Sequence, residues 1–486
     1  MNLVVVSNRV ARGKANEPMT GGLAAALLPV VEKSGAIWVG SSGRVRDTAQ
    51  KEPFAEIEAL GRGALALLDL PAAHYGGFYE GFANSALWPA LHSRSDLIRV
   101  SQDDYRSYRE VNAFMARALL RFLKEDTVFW VQDYHFLALG AELRELGVSA
   151  PIGFFLHTPW PGRGVIEGVP HHRELIEAML AYDLIGFQTE EDCANFQDYL
   201  RSVPELKLHD DVVFSRHGRA RLAVFPIGID AEKFAAAAAK AILHPDVSRL
   251  RRSLNGEKLA IGVDRLDYSK GLINRISAFD RMWEREPSLL RTVSLLQIAT
   301  PSRGGIEVYG KLQGELARLV SEVNGRHGEV DWTPIRYLNK GFSQAVLAGL
   351  YRSAQVGVVT PLQDGMNLVA KEYVAAQNPE DPGVLVLSKF AGAADELDAA
   401  LLVNPHDIDG MAQTIATALA MPLAERRMRY QAMMAKLRGH GIQQWFSDFI
   451  DTLQECRIDR GATTEQPAAA PALRSLRTIR GGARYH

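Results

Sequence analysis

The chain has 486 residues, 47% of them hydrophobic and 23% charged, and its 55 Lys+Arg against 57 Asp+Glu leave a formal net charge of −2 at pH 7. That length suits roughly two or three domains of ordinary globular composition. The balanced charge argues against wholesale binding to nucleic acid or to a membrane surface, and leaves local phosphate pockets open. Two cysteines, Cys193 and Cys456, with no Cys-x-x-Cys, exclude a disulfide framework and a cysteine zinc site and read as free thiols in a reducing compartment. Leu3-Val4-Val5-Val6 runs straight into Ser7-Asn8-Arg9, so no signal peptide is expected. No stretch reaches the ~18 apolar residues of a membrane-spanning helix, and cytoplasm is the expected compartment.

Short apolar runs predict strands at Leu3–Ser7, Ile37–Val39, Val128–Val131, Ile152–Leu156 and Leu184–Phe187. A second series follows at Leu259–Val263, Val293–Ile298, Val356–Thr360, Val384–Leu387 and Leu401–Val403. Near-continuous apolar strands are the mark of parallel sheets buried on both faces. Amphipathic stretches between them, such as Val111–Lys124, Arg173–Tyr182, Ile276–Arg285 and Gly314–Val323, predict helices. The alternation reads as α/β with doubly wound sheets. An Ala-rich stretch at Lys233–Leu243, then Pro245, puts the break between two halves at about residues 240–256. Ligands then belong in the cleft between the halves, at the carboxyl ends of strands.

Unusual polar clusters fall at those ends. Asp264 to Gly271 carries Arg265 and Lys270 on one short loop, a fork and a compact charge that suit a diphosphate; a solvated loop is the plain alternative. Asp364-Gly365-Met366-Asn367-Leu368 opens a helix whose N-terminus attracts anions. Asp364 there suits sugar hydroxyls and Glu372 a ribose, against a simple N-cap and a solvated acid. Thr20-Gly21-Gly22-Leu23 lets backbone approach a ligand or only makes a turn. Arg9 and Arg303, from opposite halves, would form a second anion site if they face one cleft. Tyr79 and Trp88 suit a sugar wall or the core. His157 suits a cleft contact or a satisfied core position, and His171-His172 reads as a helix start on the surface. The only Asp-x-Asp is Asp407-Ile-Asp409, where Asp409 reads as an N-cap rather than a metal ligand. There is no GxxxxGK[ST], HExxH or GxSxG, and Gly162-Arg-Gly164 is only a fragment of GxGxxG, which argues against a P-loop NTPase, a zincin, an α/β-hydrolase and a standard NAD enzyme.

Taken in order, ten blocks resemble the trehalose-6-phosphate synthase family over about residues 1–455. They are Leu3–Arg9, Gly21–Leu23, Asn84–Pro89, Asp133–His135, Gly153–His157, Tyr182–Thr189, Pro226–Ile229, Arg265–Gly271, Gln297–Gly304 and Asp364–Val374. The resemblance implies a GT-B glycosyltransferase, two Rossmann-like doubly wound parallel-sheet domains facing a central cleft. It implies retaining transfer of glucose from UDP-glucose, or another NDP-glucose, to C1 of glucose 6-phosphate, giving α,α-trehalose 6-phosphate without metal or cofactor. Residues 1–240 would bind the acceptor, 241–440 the nucleotide sugar, and a terminal helix at 441–460 would pack back on the first domain. The basic segment 461–486 is expected to be disordered or to bind a partner.

The resemblance places the acceptor on Arg9, Trp38, Tyr79, Trp88, Asp133 and Arg303. It places the donor on Gly21, Gly22, Arg265, Lys270, Phe342, Asp364, Met366, Asn367, Leu368, Val369 and Glu372. Arg265, Lys270, Asp364 and His157 would carry the reaction, with His157 touching the donor sugar. The partners expected are the two small substrates, with no nucleic acid and no membrane; self-association stays open, as does the choice among UDP, ADP and GDP. The chain departs from the family pattern at Gln132, at Gln363, at Ser41 and in Thr158–Gly164. The alternatives are a GT-B transferase for another phosphorylated acceptor, such as glycerol 3-phosphate, a glycogen-synthase-like polymerase, and a non-catalytic sugar-phosphate sensor.

Overall fold

A computed structural model describes residues 1–11, 22–47 and 55–462 of the protein. Gly21 and the basic segment from residue 463 onward lie outside the described residues.

The first sheet contains β1 (Asn2–Arg9), β2 (Ile37–Arg46), β3 (Ala55–Leu60), β4 (Gly63–Pro71), β5 (Thr127–Gln132), β6 (Ile152–Phe155), β7 (Leu184–Phe187), β8 (Lys207–His209), β9 (Val212–Ser215) and β10 (Gly218–Val224). Their spatial order is β3-β4-β2-β1-β5-β6-β7-β10-β9-β8. The run from β4 to β10 is parallel, and β3, β9 and β8 add antiparallel edges. The second sheet contains β11 (Lys258–Arg265), β12 (Val293–Thr300), β13 (Ile335–Leu338), β14 (Val356–Val359), β15 (Val384–Ser388) and β16 (Leu401–Val403). Its order is β13-β12-β11-β14-β15-β16, parallel throughout.

Both sheets share one topology. Within the parallel core of the first, β4-β2-β1-β5-β6-β7 winds outward from β1 in both directions, as the second winds outward from β11. Each therefore has a topological switch point, β1/β5 in one and β11/β14 in the other, and the crevice outside the strand ends there is where such sheets bind ligands. This is the GT-B arrangement. The strands form because Leu3–Val6, Val128–Val131, Val356, Val358 and Val359 are β-branched or large apolar residues that are buried on both faces.

The hairpin β3–β4, the edge strands β8 and β9, and β13 are additions to the predicted elements. β3 and β8 are partly exposed and lack an apolar run. Residues Gly76–Leu87 form a π-helical segment, a rare form that often marks functional sites. One local expectation is corrected. Asp407, not Asp409, caps the helix Ile408–Ala420 by accepting from Gly410 N–H, whereas Asp409 pairs with Arg281 and Arg285. Neither cysteine forms a disulfide. Among the described residues no helix is long and apolar enough to cross a membrane.

The last helix, Ile442–Ala462, lies on the first sheet. Trp445 packs on Trp130 at 4.8 Å and on Phe155 at 5.1 Å between ring centroids. Phe449 lies so close to Gly153 and Gly186 that a Cβ at either would approach its ring within 2.6–2.8 Å. Phe449 is fully buried, so Phe449→Ala should cost about 3–5 kcal/mol of stability. A lowered urea midpoint is the expected result, and an unchanged midpoint would remove this helix from the core.

Candidate functional site

The predicted polar clusters converge where the two switch points face each other. Arg9 ends β1 and Asp133 follows β5; Arg265 ends β11 and Asp364 follows β14. The cleft is closed across this line. A Cβ on Gly365 would collide with the carbonyl oxygen of His157, so only glycine lets these two loops meet.

On the second half, Lys270 Nζ donates to Asp364 Oδ2 at 2.6 Å, and Asn367 Nδ2 donates to the same oxygen at 3.0 Å. Burial alone would raise the Asp364 carboxyl, but the Lys270 charge and hydrogen bond, with Asn367, bring it below its ordinary value. Asn367 adopts φ 81° and caps the helix Leu368–Ala376, its Oδ1 accepting from Ala370 N–H at 3.1 Å. Among the described residues the N–H groups of Met366, Asn367, Leu368 and Val369 have no protein acceptor, which leaves an anion or sugar oxygen a row of donors. The Arg265–Lys270 loop is held from beneath by Arg275. That fully buried guanidinium donates to Asp264 at 2.5 Å, to Gln297 at 3.1 Å and to Thr360 at 3.1 Å. Gly271, at φ 64°, closes the loop directly against the Thr360 carbonyl.

Asp267 joins the halves. It is fully buried and accepts from Arg303 Nη1 at 2.6 Å, from Ser269 N–H at 3.0 Å and, across the cleft, from Trp88 Nε1 at 3.4 Å. Burial raises its carboxyl, yet Arg303, Arg265 and Lys270 bring it far below the usual range. The Arg303 guanidinium lies 3.8 Å from the Trp88 ring centroid and that of Arg265 lies 5.2 Å away, so one indole gathers both cations. Arg303 also donates to Tyr309 OH at 2.9 Å and, from Nη2, to Tyr134 OH at 3.3 Å.

On the first half, Tyr79 lies in the π-helical segment, stacked between Tyr75 at 5.6 Å and His135 at 6.0 Å. The Arg9 guanidinium lies against Gly43, and its charge reaches the Tyr75 phenol. Among the described residues no carboxylate pairs with Arg9 or Arg265, so both charges remain available to a ligand. Asp133 has φ 73°, and burial pushes its carboxyl up to about 6 against the pull of Arg265 and Arg303. Both nitrogens of His135 are buried without a partner among the described residues.

Trp38 is placed differently from the expectation. It is 1% exposed in the core, and its Nε1–H donates to Ser7 Oγ at 2.8 Å, so it braces β1 from behind rather than lining the acceptor pocket. Gly22 begins the helix Gly22–Ser34. Leu368, Val369 and Phe342 are half-buried, with Lys340 Nζ 5.1 Å from the Phe342 ring centroid. Glu372 contacts Gln344, and burial raises its carboxyl to about 7. His157 keeps both ring nitrogens on glutamines, Gln132 and Gln188. Sequence reasoning missed Asp267, Tyr134, Tyr309 and Arg275 as parts of the site. Only Asp267 left a signal, an acid between Arg265 and Lys270.

The Glu372 shift sets a pH prediction. A folded-state value of about 7 lies above the ordinary 4.5, so between these values the folded chain holds a proton that the unfolded chain has released. Stability from this source is full below about pH 4.5 and is lost as pH rises through about 7. Glu372→Gln should therefore flatten the fall in urea midpoint between about pH 5 and 8. An unaltered pH dependence would contradict the shift.

Three comparisons bear on this geometry. The profile of Glycosyltransferase family 20 matches residues 2–455. A trehalose-6-phosphate synthase from Sinorhizobium fredii is 45% identical over 454 residues, covering 93% of this chain and 98% of its own. Two solved structures superpose with TM-scores of 0.90 at 44% identity, each over 93% of this chain. One is a UDP-forming α,α-trehalose-phosphate synthase from Burkholderia vietnamiensis, covered over 98% of its length. The other is a UDP-forming α,α-trehalose-phosphate synthase from Burkholderia xenovorans in complex with glucose-6-phosphate, covered over its whole length. With a matching profile along nearly all of its length, a shared GT-B fold and this identity, the chain belongs to glycosyltransferase family 20.

Proposed function

We propose that the chain transfers glucose, with retention, from UDP-glucose or another nucleoside diphosphate glucose to C1 of glucose 6-phosphate, giving α,α-trehalose 6-phosphate. One observation carries the reading. Two cationic anchors of the second half line the closed cleft, Arg303 keyed to Trp88 of the first half and Lys270 beside the helix N-terminus at Asn367. They match a phosphorylated acceptor and a diphosphate donor. The Burkholderia xenovorans relative, UDP-forming and solved with glucose-6-phosphate, supports the same pair of substrates.

Arg303 has five N–H donors. Asp267 and Tyr309 take those of Nη1 and Tyr134 takes one of Nη2, which leaves Nε–H and one Nη2 proton for the acceptor phosphate. Arg9 and Tyr79 would complete that site, with Trp88 and Asp133 toward the sugar hydroxyls. When the donor enters, Lys270 exchanges Asp364 for a phosphate oxygen, and Asp364 turns to the glucose hydroxyls. Glu372 would hold the ribose, and the backbone at Phe342, Leu368 and Val369 the base and its neighbours.

In the transfer, the bond from glucose C1 to the phosphate oxygen breaks, and its electron pair leaves with the diphosphate. The acceptor hydroxyl bonds to C1 from the same face, and its proton passes to the departing oxygen. Arg265, Lys270 and the helix N–H groups stabilise the charge that develops there. We propose that these cations make a metal unnecessary and that the reaction takes place in the cytoplasm.

Arg303→Ala should raise the glucose 6-phosphate KM about 10- to 100-fold, the loss of one charged hydrogen-bonding group, with the donor KM little changed. Equal loss toward both substrates would contradict the acceptor assignment. Lys270→Ala should lower kcat about 10²- to 10³-fold, and near-normal turnover would remove Lys270 from the leaving-group site. The reaction itself is tested by nucleoside diphosphate release from UDP-, ADP- and GDP-glucose in EDTA. Each donor is offered with glucose 6-phosphate, with glycerol 3-phosphate and with no acceptor. Release that requires glucose 6-phosphate supports the reading. Release only with glycerol 3-phosphate, only after a divalent metal is restored, or none despite donor binding, contradicts it.

A further inference from the structure

Ile227 lies between β10 and the second half, and the two peptide groups that flank its Cα are both bonded to side chains. Its N–H donates to Gln188 Oε1 at 3.0 Å, and its carbonyl accepts from Lys371 Nζ at 2.7 Å. Gln188 follows β7 and belongs to the first half. Lys371 belongs to the donor helix Leu368–Ala376, next to Glu372 and one helical turn beyond Asn367. Lys371 has no exposed surface, and its ammonium also donates to Glu396 Oε1 at 2.6 Å. A buried ammonium is stable only with such partners, so its position is tightly determined.

The protonation of His157 follows from the first of these bonds. Gln188 Oε1 is committed to Ile227 N–H, and the reversed amide would set two donors against each other. The NH2 of Gln188 therefore faces His157 Nδ1, at 3.4 Å, and that nitrogen must accept. The ring proton then lies on Nε2, which donates to Gln132 Oε1 at 2.9 Å. Gln132, one of the positions where the chain departs from the family pattern, can take this proton without titrating itself. Among the described residues no charged side chain pairs with the ring. The carboxylate of Asp133 accepts from the His157 backbone N–H at 3.3 Å, and the ring's other neighbours are Phe155 and Trp445. Burial acts in the same direction and lowers the imidazole to about 3.

We propose that Gln188 and Lys371 are positioning residues: through the two peptide groups that flank Ile227 they register the donor helix against His157, and Gln188 with Gln132 holds the His157 ring proton on Nε2. His157 then serves the cleft as a fixed neutral wall and does not act as an acid or a base. The kinetic consequence rests on the transfer reading above, whereas the tautomer is read without substrate and stands or falls separately.

The test is ¹⁵N NMR of the full chain labelled at histidine, with the His157 signals identified by their loss in His157→Gln. The expected result is an unprotonated Nδ1 and a protonated Nε2, unchanged from about pH 5.5 to 8. A proton on Nδ1, or a ring that titrates near its ordinary value, overturns the proposal. In Gln188→Glu a carboxylate faces Nδ1, so the ring should titrate within that range and kcat should fall as pH drops through the new value. A pH profile identical to that of the unaltered chain overturns it. Gln188→Leu and Lys371→Met should each lower kcat about tenfold, and the double variant no further, because both act through the backbone of one residue. Multiplicative losses overturn the coupling. The NMR measurement on the unaltered chain keeps the proposal testable if Lys371→Met does not fold.

Discussion

A carboxylate with no exposed surface cannot remain ionised unless strong donors surround it, and Asp267 is such a group. Its partners come from both halves of the molecule, Arg303 and Ser269 from the second and Trp88 from the first. The same contacts set the rest of the site. Arg303 is held flat on the indole, Arg265 is drawn to the same ring, and the closed cleft has a polar bond at its centre. In the proposed reading, the acceptor anchor is therefore built on the half that takes the donor and oriented by the half that takes the acceptor. An open molecule would have Arg303 in the wrong surroundings, which couples binding of the two substrates to closure.

The electrostatics divide the work. Lys270 and Asp364 hold each other ready in a pair that a diphosphate sugar can separate, since it offers an anion to one and hydroxyls to the other. The uncapped N–H row before Ala370 adds donors that need no reorganisation when charge develops. Of the titratable groups near the reacting sugars, His157 is kept neutral by burial, and Asp133, raised to about 6 and mostly ionised at pH 7, has its carboxylate engaged by the His157 backbone N–H. A mechanism in which the leaving phosphate takes the acceptor proton fits such surroundings, because it asks no side chain to act as base.

Much of this was legible in the residues, and the reason is topological. Parallel strands write themselves as apolar runs, and the polar residues that end Leu3–Ser7, Val128–Val131, Leu259–Val263 and Val356–Thr360 mark the two switch points. Local chemistry was legible in part: a helix N-terminus was expected after Asp364, but its cap is Asn367 at φ 81° and not Asp364. Contacts that exist only after the halves close were not legible. Lys371 reads as an ordinary helix lysine, and nothing local tells that Ile227 lies against it. Trp38 and Trp88 both look like aromatic walls, but one braces β1 through Ser7 and the other meets the guanidiniums of Arg265 and Arg303. The π-helical turn that carries Tyr79 has no apolar periodicity of its own, and β3 and β8 are too exposed to leave a pattern.

The central claim is that two anchored phosphates bring one glucose C1 to another within a closed cleft. The linkage of the product tests it most directly, by NMR of the disaccharide formed from UDP-glucose labelled with ¹³C at C1 of its glucose and glucose 6-phosphate. A single phosphorylated disaccharide is expected, in which the labelled carbon is α-linked to C1 of the acceptor and the acceptor's own anomeric carbon is also α. A β linkage, attachment at any other acceptor carbon, or label recovered only as free glucose would contradict it.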